Sequence, residues 1–113
     1  MKPIEDNKLV PIAMEIILHA GDGRNKISEA MEEAKAFKFE EAKALLKDAE
    51  KDIAKAHHAQ TSTIQEEIAG GEREELVLIF IHAQDTLMTI KSELKMATQM
   101  IEMMEVLTNR IEK

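Results

Sequence analysis

The chain has no cysteine, no tryptophan and no tyrosine, and only three phenylalanines, two prolines and four glycines in 113 residues. Without cysteine there is neither a disulfide framework nor a thiolate nucleophile. With aromatics at 3%, the core must be aliphatic, built from Ala, Ile, Leu and eight Met. That mix favours helices, because strands are enriched in aromatic and β-branched residues. The longest apolar run is the six residues from Leu76 to Ile81, far short of the roughly 20 that span a bilayer. The N-terminus holds no signal-peptide core, which leads to the expectation of a cytoplasmic protein. An excess of basic charge is also missing. A net charge of −7 argues against a nucleic-acid surface, which should be basic. It suits a basic protein partner and equally suits ordinary solubility. A chain of this length is one domain: residues 9–113 as the folded unit, preceded by a flexible segment at residues 1–8.

Proline and glycine divide the chain. Pro3 and Pro11 are early, Gly21 and Gly23 fall in the first third, and Gly70-Gly71 precedes the last third. From Leu9 to about Phe37, apolar and small residues recur at alternating steps of four and three (Leu9, Ala13, Ile16, Ala20, Gly23, Ile27, Ala30, Ala34, Phe37), a heptad stripe on one helix. Gly23 lies on the stripe itself, where it serves close helix packing or a local kink. After a turn near Lys38, a second helix runs to about Ala69 with the same rhythm through Ala42, Leu46, Ala49, Ile53, Ala56, Gln60 and Thr63. Gly70-Gly71 ends it, glycine being able to adopt the left-handed conformation past a helix terminus.

A third helix is expected from about Glu72 onward, with Leu76, Phe80, Ala83, Leu87, Ile90, Leu94, Ala97, Ile101, Met104, Thr108 and Ile111 on its stripe. At about 1.5 Å per residue it would approach 60 Å. A different face carries Leu78, Ile81, Asp85, Met88, Ser92, Met96, Gln99, Met103 and Val106. An antiparallel three-helix monomer needs one buried stripe per helix; the second stripe calls for a partner, and self-association supplies one most simply. The physics of the sequence gives a helical homo-oligomer without fixing its number of subunits.

Two polar residues interrupt this apolar region. Asp85, on the second stripe, is expected to be at least partly buried, hence paired, protonated or bound to a cation. Copies meeting at a symmetry axis could be neutralised by a hard cation such as Mg²⁺; otherwise Asp85 pairs with a Lys or Arg of a neighbouring helix or stays at the stripe's edge. His82 is one turn away, with an apolar setting on one side. Partial burial would favour a neutral imidazole, able to ligate a metal, act as a base or attack phosphorus; the alternative is a satisfied core histidine. Thr86, its i+4 neighbour, can offer a hydroxyl to the ring or to an attached group, whereas Gln84 points elsewhere. His57 and His58 are adjacent, face different directions and read as surface residues. His19, mid-way along the first helix, is undecided. Phosphate-loop, Ser/His/Asp and zinc spacings are missing, and Met88, Met96, Met100, Met103 and Met104 read as core.

Ile16-Ile17-Leu18-His19-Ala20-Gly21, Phe39-Glu40-Glu41-Ala42, Ala56-His57-His58-Ala59-Gln60-Thr61 and, above all, His82-Ala83-Gln84-Asp85 with Leu87-Met88-Thr89 make a pattern. It resembles the lactose/cellobiose-specific enzyme IIA family of the bacterial phosphotransferase system, over nearly the whole chain after the first eight residues. The resemblance implies a homotrimer of three-helix subunits. It implies that His82 accepts a phosphoryl group from the phosphohistidine carrier protein and passes it to a cysteine of the cognate enzyme IIB, during uptake of a lactose-, cellobiose- or chitobiose-type disaccharide. It also implies that Asp85 copies gather on the three-fold axis around Mg²⁺ or another divalent cation. The family motif usually reads His-Ala-Gln-Asp-His-Leu-Met, and here Thr86 stands in place of the second histidine. The competing reading is a non-enzymatic helical interaction module, since Phe37 to Ala42 is similar to a tetratricopeptide-type turn; His82 would then be a core residue.

Overall fold

The computed structural model describes residues 3–70 and 74–112. Among these the chain is all-helical: a single 3-10 turn at Ile4–Asp6, then α1 (Leu9–Lys35), α2 (Phe39–Ile68) and α3 (Leu78–Glu112). The helices form an antiparallel three-helix bundle measuring 67 × 24 × 17 Å. Met1, Lys2, Gly71, Glu72, Arg73 and Lys113 lie outside the described residues, so parts of the expected flexible N-terminal segment and of the glycine pair do too. No helix among the described residues is long and apolar enough to cross a membrane.

The first stripe is the buried face of α1: Leu9, Ala13, Ile16, Ala20, Gly23, Ile27, Ala30 and Ala34. It packs most extensively on α2, where Ala42, Leu46, Ala49, Ile53 and Ala56 face it. So many small residues let the two backbones approach closely. Gly23 serves that packing: a Cβ there would stand 2.9 Å from Ile53 Cγ1 and 3.3 Å from the Ala49 carbonyl oxygen. At Gly21 an added Cβ meets nothing within 4 Å. Gly21→Ala should therefore stabilise by about 0.5–1 kcal/mol through helix propensity alone. Gly23→Ala should be net destabilising, because overpacking costs about 1–3 kcal/mol against the same gain. Thermal denaturation of the two variants, with midpoints moving in opposite directions, checks this.

Each helix end has a physical reason. Asn7 starts α1: its Oδ1 accepts the Leu9 N–H at 2.8 Å and its carbonyl accepts the Val10 N–H at 3.1 Å. At the other end, Phe37 N–H donates to the Ala34 carbonyl and Lys38 N–H to the Glu33 carbonyl, both at 2.9 Å, the paired bonds of a Schellman terminus. Phe37 takes the left-handed position there, with φ 62°, where glycine is usual. This corrects the expectation that Phe37 closes the α1 stripe. Its ring is exposed and packs edge-on against Phe39, centroids 6.2 Å apart. Gly70, with φ 85°, ends α2 as the sequence suggested.

The third helix begins later than about Glu72. Residues 74–77 are irregular, and Leu76 is exposed rather than on the stripe. The Glu75 carbonyl, which would accept from residue 79 in a continuing helix, accepts instead from Asn7 Nδ2 at 2.6 Å. The Val77 carbonyl then accepts the Phe80 and Ile81 amides and opens α3. From Phe80 the core stripe holds through Ala83, Leu87, Ile90, Ala97 and Ile101, with Leu94 and Met104 partly buried; Ile111 is exposed at the helix end.

Ion pairs tie the helices at their edges. Lys26 Nζ lies 2.6 Å from the buried Asp52 between α1 and α2, and Lys43 Nζ lies 3.1 Å from Glu105 between α2 and α3. The hydrogen bond from Lys26 to Asp52 holds the Lys26 pKa above its usual value. A raised lysine pKa means that this contribution is complete at neutral pH and is lost only as pH climbs through the folded-state value. Arg24 grips both carboxylate oxygens of Glu93 at 2.9 Å, joining α1 to α3 at an exposed edge.

Candidate functional site

α3 has two faces of opposite character. Positions 83 and 87 are buried with the core, and Asp85 is about 160° around the helix from each. On that outer side Leu78 is 80% exposed, and Met88, Met96, Met103 and Val106 are between 55% and 62% exposed. The second stripe is thus real and uncovered in a single chain. Met88, Met96, Met100 and Met103, expected as core, are exposed, because the bundle's interior is already filled by the other face.

His82 is in the second turn of α3, at the edge of this stripe and at the end of the bundle where the 74–77 segment enters. It is exposed, not partly buried as expected; among the described residues no element covers it. Its ring makes no hydrogen bond or ion pair among the described residues. The other three histidine rings each have a neighbour. His19 Nε2 lies 3.8 Å from Glu15 Oε1, His58 Nε2 is 3.5 Å from Ser62 Oγ, and His57 Nδ1 is 3.4 Å from Lys91 Nζ. His57 and His58 are exposed, as the sequence suggested. They line a groove between α2 and α3 with Thr61, Lys91 and Leu94. Lys91 is nine residues beyond His82, roughly 14 Å along the axis, so this groove does not join the His82 site.

Thr86 does not serve the ring. Its Oγ1 donates to the His82 backbone carbonyl at 2.8 Å, and Thr89 Oγ1 does the same to the Asp85 carbonyl. Gln84, as expected, is on a different side of α3. Asp85 is exposed, which corrects its expected burial, and it has no ion-pair partner among the described residues. Among the described residues no three His, Cys, Asp or Glu side chains come together as a metal-binding group. The oxygen donor suits a hard cation, but one chain offers only a single carboxylate. Two residues that sequence reasoning passed over matter to the architecture: Asn7, whose position just before an apolar-periodic segment is a helix-start signal, and Asp52, which nothing in the pattern marks.

The surroundings of His82 set what it can do. An exposed imidazole with unoccupied ring nitrogens is a nucleophile or a base. Beside it on the helix surface are the exposed apolar side chains of Leu78 and Ile81. Residues 11–105 match the family model described as the lactose/cellobiose-specific IIA subunit of the PTS system. The chain is 43% identical to the lichenan-specific phosphotransferase enzyme IIA component of Bacillus subtilis, over 93% of this chain and 94% of that one. Among solved structures, it superposes on the cellobiose-specific PTS enzyme IIA of Bacillus anthracis with a TM-score of 0.83 and 32% identity, covering 96% and 95% of the two chains. It also matches the IIA(Chitobiose) of the Escherichia coli IIA(Chitobiose)–HPr complex, with a TM-score of 0.76 and 28% identity over 89% and 97%. A three-helix bundle with this site and these relatives has one family: the chain belongs to the lactose/cellobiose-specific IIA subunits of the phosphotransferase system, and is a phosphoryl-carrying component of that system.

Proposed function

We propose that His82 is the phosphoryl acceptor. An imidazole nitrogen of His82 attacks the phosphorus of a phosphohistidine on the HPr-type carrier. The new N–P bond forms as the donor's N–P bond breaks, and the donor imidazole leaves. In the second transfer a cysteine thiolate of the cognate enzyme IIB attacks the same phosphorus, and the His82 ring is released. The first exchange makes and breaks bonds of the same kind, so it needs little driving force. The protein's work is to hold the ring in line and keep water from the phosphoryl group. The observation that carries this reading is the exposed, unpartnered ring of His82 on an apolar rim. The complex of the E. coli chitobiose relative with HPr supports the choice of donor. Residues 9–113 form the carrier domain, working in the cytoplasm, with residues 1–8 as a lead segment. The test is intact-mass measurement after incubation with phosphoenolpyruvate, enzyme I and HPr: one acid-labile phosphoryl group per chain is expected.

The working unit is a homotrimer in which α3 of each copy turns its second stripe to a three-fold axis. The exposed Met88, Met96, Met103 and Val106 support it. Three copies of Asp85 on that axis would share a divalent cation such as Mg²⁺, which would offset their charge and the roughly two negative charges that each phosphorylation adds. Asp85→Leu should assemble at least as tightly as wild type. A chelator should loosen the wild-type trimer and leave the variant unchanged, as read by light scattering.

A further inference from the structure

Among residues 3–8, Asn7 alone is buried, and it uses both ends of its amide. Oδ1 caps α1 through the Leu9 N–H, while Nδ2 donates across 68 residues of sequence to the Glu75 carbonyl at 2.6 Å. Glu75 stands in the irregular 74–77 segment, two residues before Val77, whose carbonyl opens α3. His82 follows in the second turn. That segment is joined to the N-terminal cap of α1 by a side chain able to donate and accept at once. We infer that Asn7 is a positioning residue for phosphoryl transfer: it fixes the start of α3 so that the rim around His82 is already formed when the donor docks. This rests on the phosphocarrier reading of His82.

The chemistry offers a clean separation. Asn7→Asp keeps an acceptor for the Leu9 amide but loses the donor, and sets a carboxylate oxygen against the Glu75 carbonyl. Asn7→Ser also retains a capping oxygen, is too short to reach Glu75, and brings no charge. Losing this part-buried hydrogen bond costs enough to open the first turns of α3 up to about tenfold more often. Amide hydrogen exchange from Phe80 to Gln84 should therefore accelerate up to about tenfold in both variants, with the central amides of α1 and α2 changed much less. When the docking-competent conformation is populated only in part, the apparent affinity falls by that fraction. The KM for phospho-HPr should then rise in proportion to the loss of the docking-competent fraction, at nearly unchanged kcat, whereas a merely less stable protein would lose active chains, lowering kcat at constant KM. Unchanged exchange at Phe80 to Gln84, equal acceleration in all three helices, or a fall in kcat at constant KM would each overturn the inference. A wild-type chain that takes no phosphoryl group would overturn the phosphocarrier reading instead, and the exchange data would still decide whether Asn7 holds α3.

Discussion

His82→Ala should take up no phosphoryl group from phospho-HPr under conditions where the wild-type chain is fully converted, a loss of at least about 10³-fold, as expected when the only nucleophile of a group transfer is removed. The protein should otherwise be unharmed. The His82 side chain is exposed and bonded to nothing among the described residues, and alanine is the better helix former by a few tenths of a kcal/mol. Circular dichroism and assembly should match wild type. The remaining histidines make poor substitutes, since each ring has a polar neighbour within its own chain. A phosphoryl group retained by the variant, located by fragmentation at His57, His58 or His19, would move the site; retention of none by either chain with active partners would favour a helical interaction module.

Met96→Glu together with Met103→Glu should reduce the mass in solution from three chains to one. Both side chains are more than half exposed in a single chain, so the bundle itself should tolerate the change. In a three-fold interface each methionine contributes about 1.5–3 kcal/mol of apolar burial, and each new carboxylate would be buried unpaired at several kcal/mol more. Together these exceed the ~4 kcal/mol that separates a tight assembly from one a thousandfold weaker. Multi-angle light scattering at micromolar concentration reads the result directly. A wild-type chain already monomeric there, or a variant unchanged in mass, would remove the axial model.

Much of the bundle was legible in periodicity. Steps of four and three named the buried face of each helix and placed Gly23 on it, where close packing or a kink stayed open until the geometry chose packing, and Gly70-Gly71 was marked as a stop. What escaped depends on interactions that periodicity does not encode. Phe37 ends α1 in a left-handed conformation that no glycine announces. α3 starts late, and a side chain 68 residues away takes the Glu75 carbonyl. His82 and Asp85 were found from their polarity on an apolar face, and so was the second stripe, but their burial was misjudged. The sequence pattern describes a surface meant to be covered, and one chain leaves it open. Thr86 illustrates a further limit: its spacing allows a bond to the ring or to the backbone, and geometry selects the backbone.

The proportions of the bundle carry a consequence for how the chain can exist. A folded monomer of 12.8 kDa ordinarily presents about 6,300 Å² to water. This one presents 7742 Å², close to a quarter more, because a rod 67 Å long and 17 Å thick encloses little for its outline. The surplus of about 1,500 Å² is what two interfaces of ordinary size, roughly 800 Å² on each partner, would remove. Two such interfaces per copy are the requirement of a closed ring. The elongation of α3, which makes the lone chain a poor sphere, is what would make three of them a good one.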